Sequence, residues 1–275
     1  MRKIVITAVA LLTLGVVAAT ALAVNQYALT NASTSPKGKG TPSNPISKQV
    51  NFDYLVRDSE GPRGSPVVKY KIAVQGVTAK WAAKFPRCRF SEAAQDAPRA
   101  VVLQKCGKAV VGGGRVETLV SDGVPSPDDP NDVDYYCNLQ LTLINVVGGL
   151  AIRLDADQTT PLPQSQTDKF GCVAPTHRAI FGKLRAKRIG GVPTNSLEFS
   201  VPLELRHIAG LTITVARTKS TVIRKVKRLN VDGDPAKETV GFFTAIGCGK
   251  RKRLTVVTFV DERGDVSRKR KASRC

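Results

Sequence analysis

The side chains best suited to chemistry in this chain are a histidine near a cysteine and a close pair of aspartates. His177 lies five residues after Cys172, and a Cys–His nucleophilic pair needs a free thiol within hydrogen-bond reach of the imidazole. Asp155 and Asp157 share one strand face, as a carboxylate pair for hydrolysis would require; the alternative, which we favour, is that two Asp beside a turn are solvated. The other histidine, His207, ends an apolar strand face and is interpreted as a strand-end or core residue.

Residues 128–134, with the sequence DDPNDVD, form an acidic cluster. Ca²⁺ takes about six to eight oxygen ligands, which closely spaced Asp and Asn side chains supply. The cluster lacks the Gly and the distant Glu of an EF-hand loop, and its neighbouring prolines are typical of a turn. We interpret it as a turn, with a Ca²⁺ site as the alternative. Because the chain also lacks CxxC, HExxH, GxSxG and phosphate-loop motifs, we predict no metal, no cofactor and no catalytic residues.

The six cysteines point to a framework of disulfides in an oxidising compartment. Six cysteines allow about fifteen pairings. Because turn signals lie inside each interval between neighbours, we expect sequential pairs, each contributing about 3–4 kcal/mol to stability. The pairs are Cys88–Cys106, Cys137–Cys172 and Cys248–Cys275.

The N-terminus has the layout of an export signal. Arg2 and Lys3 precede an apolar run over residues 4–24, and Ala21 and Ala23 fit the positions before a signal-peptidase cut. We expect cleavage after Ala23 and a secreted protein. The alternative is an uncleaved anchor facing outward, because the run makes a helix of about 31 Å, enough to cross the hydrocarbon core.

Composition then divides the rest of the chain. Residues 24–50 are rich in Gly, Pro, Ser and Thr without an apolar period, which predicts a disordered linker. Beyond the linker we expect two β domains, residues 51–165 and 166–275, separated by a loop near residues 159–163.

Most of the remaining sequence alternates apolar and polar residues with a period of two. Leu139, Leu141 and Leu143 face one way, and Leu197 to Leu205 repeats the pattern through Pro202, which predicts an edge strand or a bulge there. Many short strands separated by turns indicate an all-β, antiparallel, sandwich-like fold. One short stretch, residues 91–97, favours a helix.

Several segments resemble a known group of proteins. These are the FPRC segment ending at Cys88, the glycine-rich stretch after Cys106, the segment from Ser196 to Pro202 and the closing unit from Cys248 to Cys275. Together they resemble a family of secreted, β-rich actinobacterial proteins of unknown function, over most of residues 50–275. The resemblance implies export, β structure and local cysteine pairing. It brings no catalytic residues.

Charge is distributed unevenly along a chain with a net charge of +20. Residues 48–168 hold 14 basic and 14 acidic residues, whereas residues 169–275 hold 24 basic and 8 acidic residues. The basic residues of the second half fall into short groups, some of them on predicted strand faces. The candidate anion-binding residues are Lys183, Arg185, Lys187, Lys250, Arg251, Lys252, Arg253, Arg268, Lys269, Arg270 and Lys271.

A hairpin turning at residues 261–264 is expected to bring the runs 250–253 and 268–271 together at its open end. Crowded cations repel each other, so a polyanion that screens them is favoured. We therefore expect a non-catalytic exported protein that contacts anionic envelope polymers or acidic glycans. The alternatives are a hydrolase of such polymers and a protein-interaction module. Nucleic acid is not expected, since few aromatic residues are present for base stacking, and a membrane would be reached only through residues 4–24 or headgroup charge.

Overall fold

The computed structural model describes residues 25–58, 63–90, 92–123, 133, 135–156, 172, 175–230 and 237–275. Antiparallel strands dominate these residues. The strands are β1 (Asn25–Ser35), β2 (Ile46–Ser47), β3 (Gln49–Asp58), β4 (Val67–Val74), β5 (Val77–Thr78), β6 (Val110–Ser121), β7 (Tyr135–Val146), β8 (Gly149–Ala156), β9 (Thr176–Ile189), β10 (Val192–Ser200), β11 (His207–Ile208), β12 (Leu211–Val222), β13 (Val226–Asn230), β14 (Lys237–Gly241), β15 (Thr244–Ala245), β16 (Lys252–Asp261) and β17 (Val266–Arg274). The α-helices are α1 (Glu92–Gln95) and α2 (Arg99–Cys106).

One large sheet forms most of the described structure. Its strands follow the order β1-β3-β12-β6-β7-β8-β9-β10-β4-β16-β17, and β11 pairs with β12. The two ends of this order, β1 and β17, lie beside each other, and the Gly38 N–H donates to the carbonyl oxygen of Cys275. The prediction of an all-β antiparallel fold is confirmed, and the sheet is nearly closed and barrel-like.

The boundary predicted near residue 165 does not divide this sheet. Strand β12, from the second predicted domain, pairs with both β3 and β6, from the first. Strand β4 likewise pairs with β10 and β16. The prediction of two separate β units was wrong because strand pairing between distant segments leaves no signal in composition.

The predicted linker was also wrong, since residues 25–35 form strand β1 and pair with β3. Tyr27, Ala32 and Thr34 are buried. Serine and threonine are tolerated here because the backbone bonds with β3 provide partners that the isolated segment lacks, and Thr favours strands. The predicted signal at residues 1–23 and the cluster 128–134, apart from Val133, lie outside the described residues.

Alternation places apolar side chains inside the sheet, as predicted. Leu139, Leu141 and Leu143 of β7 are buried in the main core. A second cluster of aromatic residues lines another part of the interior, where the rings of Tyr27 and Phe259 stack with centroids 4.1 Å apart. Burial of this continuous inner surface is the main stabilisation of the sheet.

Glycines allow β6 to approach β12 closely. A Cβ atom on Gly114 would lie 1.9 Å from the carbonyl oxygen of Lys219, and one on Gly112 would lie 2.2 Å from that of Thr221. Glycine in a strand interior commonly marks such a close approach or bend. The glycine-rich stretch after Cys106 therefore has a packing role in this sheet.

A short helical segment covers the outside of β7 and β8. The predicted helix at residues 91–97 is found in part, as α1, whereas α2 was not predicted. Val102 and Cys106 of α2 pack against Ile144 and Ala151 of the sheet. The Cys88–Cys106 disulfide closes this segment.

All three predicted disulfides are confirmed: Cys88–Cys106, Cys137–Cys172 and Cys248–Cys275. Such a framework is typical of proteins in an oxidising environment. The hairpin with its turn after Asp261 is also confirmed, because β16 pairs with β17 from Lys252 opposite Arg274 to Val260 opposite Val266.

The strand predicted over residues 197–205 ends earlier than expected. Strand β10 stops at Ser200, and residues 203–205 form a 3-10 turn after Pro202. β10 lies between β9 and β4, so it is neither an edge strand nor bulged at Pro202. Proline cannot donate to a ladder, and here the strand stops before it.

Candidate anion-binding surface

Five neighbouring strands, β9, β10, β4, β16 and β17, present one continuous outer surface. Residues that pair directly across antiparallel strands point to the same side of a sheet, and alternate residues of one strand share that side. One row crosses all five strands through Lys183, Glu198, Lys71, Thr258 and Arg268. The basic face, as we call it, consists of the cations on this side: Lys69, Lys71, Lys183, Arg185, Lys187, Arg268 and Arg270.

The basic face is poorly neutralised. Glu198 is the one acidic residue at a solvent-accessible position in these five strands, all of which belong to the described residues; their other acid, Asp261, is buried. The cations lie on β9, β4 and β17, which alternate with β10 and β16, so cations on different strands are about 10 Å apart. Cations within one strand are about 7 Å apart and repel each other within one Debye length, which is about 8 Å in physiological salt. A polyanion lying on this face would relieve that repulsion.

A basic cleft lies where the basic face ends. Lys252 and Arg274 pair directly and point to the same side as Arg268 and Arg270. Beyond them a cleft of about 1060 Å³ is lined by Gly190 and by the Cys248–Cys275 disulfide. Its other lining residues are mainly cations, and we define the basic cleft by them: Lys37, Lys39, Lys250, Arg251, Lys252 and Arg274.

A buried arginine holds the loop that forms one wall of the basic cleft. Arg253 is 0% exposed, and its Nη1 donates to the carbonyl oxygens of Gln75 at 2.6 Å and Gly247 at 3.1 Å. Its Nη2 donates to the carbonyl oxygen of Gly38 at 3.3 Å. The loop bearing Lys37 and Lys39 is thereby fixed to β16.

Lys48 adds a second buried cation beneath the same loop. It is 0% exposed, and its Nζ donates to the carbonyl oxygens of Pro36 and, at 3.0 Å, Gly38. Burial, followed by the nearby charges of Arg253 and Arg224, lowers the pKa of Lys48 to about 8, and burial also lowers the pKa of Arg253. Among the described residues, no carboxylate forms an ion pair with either cation. Two buried cations without a counter-ion among the described residues therefore hold the loop that forms one wall of the basic cleft.

Seven of the eleven predicted candidates separate into three groups in the structure. Lys183, Arg185 and Lys187 lie exposed on β9, as their alternation predicts. Lys250, Arg251 and Lys252 line the basic cleft. Arg253 is a buried structural residue, so its prediction as a surface cation was wrong.

The expectation that residues 250–253 and 268–271 meet at the open end of the hairpin was also wrong. Arg268 to Lys271 pair with Thr258 to Thr255, near the middle of the hairpin, and the partner of Lys252 is Arg274. Alternation turns Lys269 and Lys271 away from the side that Arg268 and Arg270 share. Only the two arginines belong to the basic face.

Sequence reasoning missed five cations of this surface: Lys37, Lys39, Lys69, Lys71 and Arg274. The first two lie in the segment interpreted as a linker, and the next two in the half with no net charge. Lys69 and Lys71 alternate with the half-buried Val68 and Ile72 and the buried Tyr70, a signal that could have identified them as outward-facing. Their closeness to β9 and β17 follows only from the strand order.

Two lysines of a further basic group, at residues 224–228, bond to the backbone of other segments. The Nζ of Lys225 donates to the carbonyl oxygens of Lys108 at 2.6 Å and Val110 at 2.9 Å. The Nζ of Lys227 donates to the carbonyl oxygen of Lys84 at 3.1 Å. These lysines attach the segment of β13 to the outside of the molecule.

The candidate catalytic residues take structural roles. The disulfide with Cys137 leaves Cys172 without a free thiol, so a Cys–His pair with His177 is excluded. His177 Nδ1 lies 3.0 Å from Asp155 Oδ1, and buried Arg153 donates to the same carboxylate from Nη2 at 2.8 Å. Arg153 also donates to the carbonyl oxygens of Gln95, the last residue of α1, and of Ala97 after it, so this cluster fixes the helical segment. Asp157 lies outside the described residues.

His207 was interpreted as a strand-end or core residue, and the structure places it on β11 at the surface. Its Nε2 lies 2.9 Å from both carboxylate oxygens of Glu262. Within the described parts of the chain, no three His, Cys, Asp or Glu side chains are grouped to hold a metal ion. No helix of those parts has the length and hydropathy needed to cross a membrane.

The geometry described above supports binding of anions by an extended surface. Comparisons with protein-family models, with curated proteins and with solved structures find no match to this chain.

Proposed function

We propose that this protein works outside the cytoplasm as a non-catalytic binder of anionic polymers. The polymer binds to the basic face and the basic cleft together. The observation behind this proposal is that the two surfaces adjoin: Lys252 and Arg274 point to the side of the sheet that carries the basic face, and they also line the basic cleft. An extended polymer can therefore contact both at once. Many weak contacts along one chain add to high avidity.

The partner's chemistry follows from the arrangement of the cations. The face runs across five strands, a width of about 19 Å, so it suits a repeating polyanion better than a single small anion. The exposed cations are long, flexible side chains on a rigid sheet, which favours charge matching over a shaped pocket. Anionic wall polymers and acidic glycans outside the cell have this chemistry.

The experiment is a binding titration of the full chain with polyphosphate and with alginate, as phosphate and carboxylate polymers, across a range of salt. Arg185→Gln with Arg270→Gln removes charge from the face, and Lys250→Gln with Lys252→Gln removes it from the cleft. Lys105→Gln with Lys108→Gln, exposed cations of the helical segment, is the matched control with the same change in net charge.

We expect both test pairs to weaken binding and to reduce the slope of log K against log salt by about one for each lost contact. The control pair should change neither quantity. Equal weakening by all three pairs would show that the net charge of the molecule, and not the proposed surface, determines binding. Unchanged binding by both test pairs would refute the proposal.

A further inference from the structure

The nearly closed sheet encloses an apolar cavity of about 170 Å³. Side chains fill the interior of closed sheets of about eight strands, and larger ones enclose space for a ligand. Here eleven strands follow the closing path. The lining is mainly apolar: Val116, Leu139, Leu141, Leu150, Ile152, Ile180, Leu197 and Val215 are among its residues.

The polar side chains of the lining are largely committed to protein partners. Tyr54 donates to the hydroxyl of Tyr70 at 3.0 Å, and Thr118 donates to the carbonyl oxygen of Cys137 at 2.6 Å. Asn195 accepts from the N–H of Ala79 at 2.8 Å. A buried water needs about two to four polar partners, and an apolar cavity of about 150 Å³ stays dry and takes benzene. The occupant that suits this interior is therefore apolar.

A second pocket, of about 330 Å³, adjoins the cavity. The two share Thr118, Leu139, Leu205 and Ile213 in their linings. The second pocket continues to a charged rim.

At that rim Arg178 bridges two carboxylates. Its Nη1 lies 2.7 Å from Asp96 Oδ1, and its Nη2 lies 2.5 Å from Glu204 Oε1. Leu205, next to Glu204, lines both spaces. From the rim to the cavity the lining residues thus change from charged to apolar, as in sites for molecules with one polar end.

We propose that the interior binds a single alkyl chain, with its apolar end in the cavity and its polar end at the Arg178 rim. Three observations specify this class of ligand. The lining of the cavity is apolar, the interior of the eleven-stranded sheet is larger than its side chains fill, and the mouth is polar. This site is separate from the basic face, since inward and outward side chains alternate along the same strands.

The test uses the neutral fluorophore 1-N-phenylnaphthylamine and its displacement by hexanol, octanol and decanol. Neutral ligands in about 1 M salt, where the Debye length is about 3 Å, exclude binding through the basic face. Val116→Phe fills the cavity. Val266→Phe, at an exposed position of β17, is the matched control.

We expect the full chain to bind the fluorophore, and we expect longer alcohols to displace it at lower concentrations. Val116→Phe should weaken binding about ten-fold or more, and the control should bind normally. If overpacking prevents Val116→Phe from folding, Val215→Leu adds bulk more gently and should weaken binding in the same direction. No binding by the unchanged protein, or equal binding by a folded cavity-filled variant, would overturn the proposal.

Discussion

The guanidinium of Arg253 donates to the carbonyl oxygen of Gly38, across 3.3 Å and between segments far apart in the chain. The last residue of the basic run 250–253 thereby becomes the anchor of a loop. Arg253 and the second buried cation, Lys48, both donate to Gly38 and so hold the loop that forms one wall of the basic cleft.

Arg253→Met should destabilise the fold. It leaves the carbonyl oxygens of Gln75 and Gly247 without their donor, and we expect the free energy of unfolding to fall by about 2 kcal/mol or more. Arg251→Gln, on the exposed neighbour, should change it by less than about 0.5 kcal/mol. Denaturant unfolding of both variants measures the difference, and equal stabilities would contradict the role assigned to Arg253.

Polyphosphate binding should weaken as the pH rises through about 8. In the free protein Lys48 has a pKa lowered to about 8, so above that pH it loses its charge behind the loop that forms the wall of the basic cleft. A bound polyanion favours the charged form, and linkage then requires affinity to fall with deprotonation. Titrations at constant ionic strength measure this. Lys48→Met should flatten the dependence, and a dependence that persists in this variant would assign it to another group.

The same pKa has a consequence for stability. The ordinary lysine value of 10.5 applies to the unfolded chain, and the folded value is about 8. Between these values the unfolded state binds more protons, so the contribution of Lys48 to the free energy of unfolding increases with pH across that window. Denaturant unfolding of the unchanged protein and of Lys48→Met at several pH values measures this contribution. A difference in the free energy of unfolding that does not depend on pH would be inconsistent with the lowered pKa.

Asp53→Asn should lower Tm at neutral pH. Arg217 donates to both carboxylate oxygens of Asp53, at 3.0 Å and 2.8 Å, and this pairing lowers the pKa of Asp53. Its stabilisation is present above the unfolded pKa of about 3.9 and is lost as the pH falls through the lower folded value. The Tm difference should therefore close in acid. Asp265→Asn, at an exposed carboxylate, is the comparison.

Replacing Cys248 and Cys275 by serine should affect both stability and binding. The bridge spans a sequence separation of 27, and its loss costs about 3.5 kcal/mol in the chain-entropy description. Because it lines the basic cleft, polyphosphate affinity should also fall. The matched control replaces Cys88 and Cys106, which hold the helical segment. This control should lose stability but keep its affinity for polyphosphate. Equal affinities in the two variants would show that the Cys248–Cys275 bridge does not contribute to binding.

Local patterns were sufficient to predict the strands and bridges that depend on near neighbours. The alternation in β7 identified Leu139, Leu141 and Leu143 as core, because a strand with one buried face needs that period. The turn after Asp261 and the pairing of Cys248 with Cys275 both join segments close in the chain. In β16 the buried residues Val257 and Phe259 lie an even number of positions after Arg253, so all three point to the same side of the strand. This alternation predicts burial of Arg253, but the four consecutive basic residues 250–253 suggested a surface position.

The sequence by itself therefore determined the β class, the local disulfides and the direction in which most strand residues point, since these depend on side-chain period and short loops. Only the tertiary structure decided the rest. It made a strand of residues 25–35 by providing β3 as a partner. It also brought Lys71, from the half of the chain with no net charge, between Lys183 and Arg268. These neighbours are distant in sequence, and their contact depends on the order of strands in the sheet, which backbone hydrogen bonding and closure of the interior select together.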